Sequence, residues 1–263
     1  MRVVVLILLF CVQFCSSLAQ KTDTLPKISV ADPVYDDTSF ATKKERKAVL
    51  KPFILPMSLF ASGVVFSQVR QLSFTDIEIA RFEQRNFRRT TELDNYLQFA
   101  PAVVTMGLDA VGIKGKHSFK QKLLLLALSS TLPTAFTHAF KYGFQNIRPD
   151  STSRNSFPSG HTAAAFAGAE FLATEYGDQS SWYRIAGYTA AGLTGILRVY
   201  NNRHWFSDIV AGAGVGILST RLAYWAYPVF EKIIFKKKEY TFIPVPFYNG
   251  YAGGINLVII QGK

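Results

Sequence analysis

Apolar residues are concentrated in six stretches of the chain, which polar and basic segments separate. The stretches lie at 52–69, 95–113, 121–140, 161–177, 183–199 and 205–227. Each contains about 17 to 23 residues, and a helix that rises about 1.5 Å per residue needs about 20 residues to cross roughly 30 Å of hydrocarbon. The pattern predicts an all-α fold, a polytopic bundle of about six membrane-associated helices, in a domain over residues 52–235.

Small residues recur in three of these stretches, at 162–169, 186–195 and 210–216. Such residues let helix backbones approach closely within a bilayer, so we expect these segments to form helix–helix contacts. Two acidic residues, Asp109 and Glu170, lie near the predicted ends of their stretches. We expect them to pair helices or to lie at the membrane interface rather than to take part in chemistry.

The first 19 residues have the pattern of a secretory signal: a basic residue, an apolar run and small residues before Gln20. An uncleaved membrane anchor over residues 1–19 is the alternative. Both cysteines, Cys11 and Cys15, lie in this segment, so a cleaved chain would contain no disulfide and no thiolate metal site. Residues 20–51 are polar and end in a basic run, which predicts a tether with a membrane-surface anchor.

Basic residues are unevenly distributed between the segments that flank the apolar stretches, and this distribution predicts which side of the membrane each segment faces. Lysines crowd the link between the second and third stretches and also follow the sixth, namely Lys114, Lys116, Lys120, Lys122 and Lys236–Lys238. By the positive-inside rule these segments are cytoplasmic, and loops 141–160 and 200–204 face the other side. The same rule places the basic run at 43–51 inside, whereas a cleaved signal would leave it outside. Either segment 1–19 stays in the membrane, or 52–69 is a surface or re-entrant helix.

Residues 236–263 differ from the preceding domain. Three lysines are followed by alternating aromatic and aliphatic positions around Pro244, Pro246 and the glycines at 250–254. Alternation of this kind predicts one or two short strands. We interpret the tail as a small hairpin outside the membrane, with a docking strand for a partner as the alternative.

Composition narrows the functional classes. The chain has 29 Lys and Arg against 18 Asp and Glu, a formal net charge of +11, while 49% of its residues are hydrophobic and 18% are charged. Its mean hydropathy is +0.14. These values exclude a disordered or collagen-like chain. We expect a membrane as a partner and no nucleic acid.

Charged and polar residues collect at the face that the charge rule places outside. They form three blocks: Lys141 and Arg148 before the fourth stretch, Ser159, Gly160 and His161 at its start, and Arg198, His204 and Asp208 around the start of the sixth. Together they bring three cations, a helix N-terminus, two imidazoles and a carboxylate to one membrane face. That combination predicts an oxyanion-binding site.

Each part of this site has a chemical reason. Ser159 and Gly160 precede helix-forming residues, so the free N–H groups of the first helical turn and the helix dipole favour a bound anion. Arginine side chains can clamp phosphate oxygens with two hydrogen bonds. His204 and Asp208 are spaced i, i+4, so the carboxylate can hold one imidazole nitrogen and leave the other as a nucleophile. His161 is then the general acid for the leaving oxygen.

These three blocks, in this order and spacing, resemble the signature of the type 2 phosphatidic acid phosphatase superfamily, over about residues 95–227. The resemblance to its bacterial membrane lipid phosphatases implies that His204 attacks phosphorus, Asp208 orients it and His161 protonates the departing oxygen. It also implies that the reaction uses no metal or other cofactor. The residues that hold the phosphoryl oxygens would then be Lys141, Arg148, Ser159, Gly160 and Arg198. Leu197 stands where the superfamily has a serine, and we expect this to remove a supporting hydrogen bond.

The resemblance implies a metal-independent phosphatase that hydrolyses a lipid phosphate monoester or diphosphate through a phosphohistidine intermediate. Isoprenyl diphosphates, phosphatidylglycerophosphate and lipid A phosphates are candidate substrates, with substrate choice in the helix grooves and in loops 70–94 and 150–157. The expected location is the bacterial inner membrane, with the site facing the periplasm. A secreted acid phosphatase of broad specificity, similar to the class A enzymes of the superfamily, is the alternative. A transporter or scaffold that reuses the fold is disfavoured because it has no need of this set of residues.

Overall fold

The computed structural model describes residues 43–69, 73–86, 90–234, 240–248 and 253–261. These residues form eight helices and one hairpin, namely α1 (Lys43–Gln68), α2 (Ser73–Asn86), α3 (Leu93–Leu97), α4 (Ala100–Ala110), α5 (Phe119–Phe144), α6 (Gly160–Tyr176), α7 (Ser181–Tyr200), α8 (Phe206–Ile234), β1 (Tyr240–Tyr248) and β2 (Gly253–Gln261). The predicted signal or anchor and the tether up to residue 42 lie outside the described residues.

The core of the bundle is made by α1, α5, α6, α7 and α8. α6 lies among α5, α7 and α8, and α8 also packs along α1. Small residues make these contacts short: a Cβ atom on Gly216 of α8 would lie 2.8 Å from the Ala167 nitrogen, and one on Gly214 would lie 2.5 Å from the Phe60 nitrogen. A larger side chain does not fit at either position, so the helix–helix contact predicted at 210–216 is confirmed.

The core helices run in alternating directions, so their termini collect at two ends of the bundle. α5 and α7 end where α6 and α8 begin, and we call this the site end. α1 begins at the opposite end, because the Pro52 carbonyl accepts a hydrogen bond from Arg221 in the second half of α8. Near the start of α8, Ala211 instead contacts Gly63 of α1. The first turns of α1 and the lysine-rich loop at 111–118 therefore lie at the same end.

Five of the six predicted apolar stretches are confirmed as single helices, α1 and α5 to α8. The second, at 95–113, is not one helix, because a turn at Gln98 and Phe99 separates α3 from α4. Pro101 lies in the first turn of α4, where its fixed φ and missing N–H favour a new helix start over continuation of the previous helix. The segment at 70–94, which we expected to be a loop, contains α2.

Three of the described helices are long and apolar enough to cross a membrane: α1 over Leu50–Gln68, α5 over Phe119–Phe144 and α8 over Phe206–Ile234. α6 has 17 residues and lies mostly buried among its neighbours. α1 is continuous from Lys43, so the basic run at 43–51 is helical. An uninterrupted α1 that lies antiparallel to α8 favours a span over a re-entrant segment.

Lys122 differs from the expectation that it is a loop cation. Its side chain is fully buried, and its Nζ lies 2.5 Å from Asp109 Oδ2 of α4 and donates to the Tyr176 hydroxyl of α6 at 2.8 Å. A buried ammonium needs such partners because an unpaired buried charge is strongly destabilising. The pair joins α4, α5 and α6, so the predicted helix-pairing role of Asp109 is confirmed.

Glu170 has the same role between α6, α7 and α8. It accepts a hydrogen bond from Arg221 Nε of α8 at 2.7 Å and another from the Tyr188 hydroxyl of α7. Three helices therefore share one buried carboxylate, and the prediction that Glu170 holds helices together is confirmed.

The C-terminal tail forms the predicted hairpin. β1 and β2 pair antiparallel, from Tyr240 opposite Gln261 to Tyr248 opposite Gly253. Both strands are edge strands in a two-stranded ribbon, which is where a strand tolerates prolines such as Pro244.

Candidate active site

All eight predicted site residues collect at the site end, where four helix termini and two loops meet. The last turns of α5 and α7 and the first turns of α6 and α8 carry Lys141, Arg198, Ser159, Gly160, His161 and Asp208. The loops before α6 and α8 carry Arg148 and His204. The charge of Lys141 interacts with those of Arg148, Arg198 and Asp208, and the His161 ring interacts with Arg198 and His204. The three sequence blocks are thus one site.

The His204 ring and the Asp208 carboxylate form a buried pair. Nδ1 of His204 lies 3.2 Å from Asp208 Oδ2, which also accepts hydrogen bonds from the Ser156 hydroxyl and the Trp205 N–H. An ionised carboxylate only accepts, so Nδ1 carries the proton and Nε2 carries the lone pair. Burial lowers the pKa of His204, although the bond to Asp208 acts in the opposite direction. The ring is therefore neutral near pH 7, the state that a nucleophile needs.

The backbone fixes the first turn of α6 to that of α8. The Ser159 N–H donates to the Asp208 carbonyl oxygen at 3.1 Å, and Ser159 Oγ caps α6 by accepting from the Thr162 N–H. Gly212, one turn further along α8, passes so close that a Cβ atom would lie 2.7 Å from the Ser159 carbonyl oxygen. The position of the histidine–carboxylate pair relative to the start of α6 therefore depends on a glycine at 212.

The start of α6 is open to a ligand. Among the described residues, no heavy atom lies within 4 Å of a Cβ atom built on Gly160. The first N–H groups of a helix have no partner within the helix and carry partial positive charge. This turn can therefore donate to an anion, as the sequence predicts for phosphate.

The guanidinium groups of Arg148 and Arg198 interact electrostatically at the site end. Within the described part of the chain, the buried Nε atoms of Arg148 and Arg198 have no hydrogen-bond partner. Buried donors are paired in the great majority of folded structures, so these N–H groups are suited to the oxygens of a bound anion. Burial and the nearby charge of Arg198 lower the pKa of Arg148, and an anion between the two arginines would offset this repulsion.

The His161 ring lies at the edge of the site, with Nε2 3.0 Å from Asn95 Oδ1. Burial and the charge of Arg198 lower the pKa of His161 to about 4, so the ring is neutral near pH 7 in the unoccupied site. A phosphate dianion bound beside the ring would stabilise its protonated form. Substrate binding can therefore charge the group that has to donate a proton.

The short helix α3 is the part of the site that the sequence did not indicate. Buried Asp94 accepts hydrogen bonds from Arg198 Nη1 at 2.6 Å and from Asn201 Nδ2 at 3.0 Å. The next residue is Asn95, the partner of His161, so α3 contacts both a predicted phosphate ligand and the predicted acid. These partners are 66 to 107 positions apart in the chain, and no local pattern signals contacts of that range.

A second missed residue is Asp76 of α2. Its carboxylate accepts hydrogen bonds from the Ser207 N–H at 2.9 Å and from the Ser207 hydroxyl at 2.5 Å. It thereby caps the first turn of α8 beside Asp208. Burial raises the pKa of Asp76, so the group depends on these donors for its charge. α2 therefore fixes the start of α8 through Asp76.

The described residues form a helical, membrane-type bundle with the predicted site residues at one end. Residues 122–232 match the PAP2 superfamily. The matched region begins in α5, ends in α8 and contains all eight predicted site residues. The helices α1 to α4 and the C-terminal hairpin lie outside it.

Two curated relatives match part of the chain. Lipid A 1-phosphatase of Porphyromonas gingivalis is 47% identical over 136 residues, which are 51% of this chain and 31% of the relative. The bacitracin transport permease protein BcrC of Bacillus licheniformis is 30% identical over 95 residues, 34% of this chain and 45% of the relative. The chain spans less than half the length of each of these two relatives.

Two crystal structures are similar in outline. LpxE of Aquifex aeolicus has a TM-score of 0.44 and 24% identity, covering 57% of this chain and 94% of that one. The first transmembrane PAP2 type phosphatidylglycerolphosphate phosphatase from Bacillus subtilis has a TM-score of 0.48 and 22% identity, covering 68% of this chain and 97% of that one.

Proposed function

We propose that the chain is an integral membrane phosphatase that hydrolyses a lipid phosphate through a phosphohistidine intermediate. One observation carries the proposal: a buried, neutral histidine, His204, is held at Nδ1 by Asp208, close to two arginines whose Nε donors have no partner among the described residues. A histidine in this state is a nucleophile. The surrounding donors fit three phosphoryl oxygens better than any uncharged ligand.

In the first step Nε2 of His204 attacks phosphorus. The P–N bond forms, the P–O bond to the lipid breaks, and His161 transfers its proton to the departing oxygen. Asp208 stabilises the charge that develops on the His204 ring. In the second step His161 takes a proton from water, the water oxygen attacks phosphorus, and the P–N bond breaks to release phosphate and neutral His204.

Charge on the transferring group is stabilised by the chain's own donors. Lys141, Arg148 and Arg198 supply positive charge, and the first turn of α6 supplies N–H groups that point to the same space. These donors serve the role that a divalent cation has in many phosphatases. We therefore propose that the reaction needs no metal.

A groove supports a lipid as the leaving group. It has a volume of about 120 Å³ and runs between α4, α5 and α6, with Ala164 and Phe171 among its lining residues. Ala164 lies three residues after His161, so the groove starts one helical turn from the proposed acid. Because His161 protonates the leaving oxygen, the lipid has to lie on this side of the phosphate. Three candidate membrane spans and this groove favour a lipid phosphatase over a secreted acid phosphatase.

The relative from Porphyromonas gingivalis favours lipid A among the candidate substrates. Its name assigns it the 1-phosphate of lipid A, and the 136 matched residues are 47% identical. We propose a phosphate of lipid A as the substrate, ahead of isoprenyl diphosphates and phosphatidylglycerophosphate.

For orientation, we propose that the site faces the periplasm. The site end lies opposite the lysine-rich loop at 111–118 and the basic start of α1, which the positive-inside rule assigns to the cytoplasm.

The test is phosphate release by detergent-purified protein in EDTA. The substrates are lipid A, an isoprenyl diphosphate, phosphatidylglycerophosphate and a soluble aryl phosphate, each also given to His204→Ala. We expect lipid A to be hydrolysed fastest and His204→Ala to be inactive. Faster release from the aryl phosphate would support the secreted acid phosphatase instead. Strict dependence on Mg²⁺, or turnover by His204→Ala, would contradict the mechanism.

A further inference from the structure

A second, larger cavity lies at the end of the bundle opposite the active site. Its volume is about 1020 Å³, and its walls come from the starts of α1 and α7, the second halves of α6 and α8, and the loop before α5. Three cations line it, Lys116, Arg184 and Arg221, against one carboxylate, Glu170. The proposed reaction uses none of these residues.

The inner layer of this cavity is a fixed ion pair. Arg221 Nε donates to Glu170 Oε1 at 2.7 Å, and Tyr188 donates to the other carboxylate oxygen. Glu170 lies six residues before the end of α6 at Tyr176, so the pair is about 9 Å inside the end of the bundle. Ionisable groups at such a depth normally face protein or a polar cavity and mark functional sites. Since Glu170 is already paired, it does not neutralise the other cations.

The mouth of the cavity keeps excess positive charge. Lys116 Nζ lies 2.8 Å and Arg184 Nη2 lies 2.7 Å from the two oxygens of Asp178, and all three side chains are about half exposed, at 45%, 47% and 63%. Two cations thus share one carboxylate, and both retain further N–H donors. Lysine and arginine in this arrangement bind phosphate groups.

The remaining wall is apolar and aromatic. Phe53 of α1, Ala173 of α6 and Trp225 of α8 line the cavity, and Trp225 is 46% exposed. Tryptophan at a helix surface near the bundle end is typical of the level of lipid headgroups. A cationic mouth above an apolar wall matches the two halves of a phospholipid better than it matches a soluble anion.

We propose that this cavity binds an anionic phospholipid from the leaflet opposite the active site. Its phosphate contacts Lys116 and Arg184, and its acyl chains lie along Phe53 and Trp225. Exposed Lys114 and Lys120 at the same end attract anionic lipids to this face. The proposal concerns binding at the other end of the bundle and does not depend on the proposed catalytic function.

The test is a lipid titration followed by native mass spectrometry, on full-length protein in a non-ionic detergent. The ligands are phosphatidylglycerol and phosphatidylcholine, and the proteins are wild type, Lys116→Gln with Arg184→Gln, and Lys114→Gln with Lys120→Gln. Both double variants remove two exposed charges from the same end, but only the first changes the cavity. We expect phosphatidylglycerol to bind at least about tenfold more tightly than phosphatidylcholine, and the cavity variant to lose about tenfold while the control stays within about twofold.

Three results would overturn the proposal. Equal loss in both variants would show diffuse attraction to a basic surface, and equal binding of the two lipids would show no preference for an anion. Full displacement by glycerol 3-phosphate would identify a free phosphate rather than a lipid as the ligand. Melting temperatures of both variants check that they fold. Neither variant changes the active site, so any lipid bound there contributes equally to all three proteins and does not affect the comparison.

Discussion

Arg198 Nη1 donates to Asp94 Oδ2 across 2.6 Å, and both side chains are buried. The bond joins the end of α7 to α3, 104 positions earlier in the chain. We expected Leu197, which stands where the superfamily has a serine, to remove a hydrogen bond that supports this arginine. Asp94 provides a partner from outside the matched region. Arg198 is therefore held by one carboxylate at Nη1, while its Nε has no partner among the described residues.

Replacing Asp94 with Asn tests this orienting role. The amide keeps the shape of the side chain but removes the charge that holds Arg198 and accepts from Asn201. We expect kcat/KM for the lipid phosphate to fall about tenfold, or roughly 1.4 kcal/mol, mainly through a higher KM because Arg198 contacts bound phosphate. Steady-state kinetics of purified protein measures both parameters.

The control for this variant is Glu78→Gln, which breaks the exposed ion pair between Glu78 and Arg81 of α2 at 2.9 Å. Exposed pairs contribute little, so we expect kinetics within about twofold of wild type. Wild-type kinetics in Asp94→Asn would show that Arg198 needs no partner in α3.

The variant His161→Ala tests whether His161 acts as the general acid, a role distinct from the nucleophilic role of His204. An alkoxide leaving group needs a proton as the P–O bond breaks, whereas an aryl oxide with a low pKa does not. We expect kcat/KM for lipid phosphate to fall by at least about a hundredfold and kcat/KM for 4-nitrophenyl phosphate to fall by less than about tenfold. We compare kcat/KM because it reports the first step, whereas the second step, in which His161 takes a proton from water, is common to both substrates and can limit kcat. The comparison is made with both substrates on one preparation. An equal loss on both substrates would argue that His161 binds phosphate and does not donate a proton.

The pH dependence follows from the buried state of His204. Burial lowers its pKa below the ordinary value of about 6.5, so the neutral nucleophile persists at neutral pH and is lost as pH falls through the lowered pKa. Since Asp208 favours the protonated ring, we expect Asp208→Asn to reduce kcat/KM and to move its acid limb to lower pH. Substrate ionisation is common to both proteins and cancels in the comparison.

The same sign applies to stability. A buried ring that stays neutral stabilises the fold above about pH 6.5 and this contribution declines as pH falls, because the unfolded chain binds a proton first. The exposed histidine His138 is the control for both measurements: His138→Gln should leave the acid limb unchanged. An acid limb above pH 6.5, or one that rises in Asp208→Asn, would contradict the assignment.

The sequence was sufficient for the parts of the site that are local. The i, i+4 spacing of His204 and Asp208 predicts that their side chains pair at the start of a helix. Ser159 and Gly160 predict that α6 begins there. The α3 contacts of Arg198 and His161 were not predictable, because Asp94 and Asn95 lie in an apolar stretch whose break depends on Pro101 and on packing against α7. The prediction that Lys122 is a loop cation was wrong for a similar reason, because its partner, Asp109, lies in another helix.

Gly212 gives the last test, because the chain offers a matched control. A Cβ atom at 212 would lie 2.7 Å from the Ser159 carbonyl oxygen, whereas one at Gly192 of α7 would meet no heavy atom of the described residues within 4 Å. Both are glycine to alanine changes inside helices, where alanine is intrinsically favoured by up to about 1 kcal/mol. We expect Gly192→Ala to be fully active and slightly more stable. Gly212→Ala should push α8 away from α6 and lose at least about tenfold in kcat with a lower melting temperature. Equal activity of the two variants would show that the turn of α6 adjusts to α8, and that the backbone bond from Ser159 to Asp208 does not set the geometry of the nucleophile.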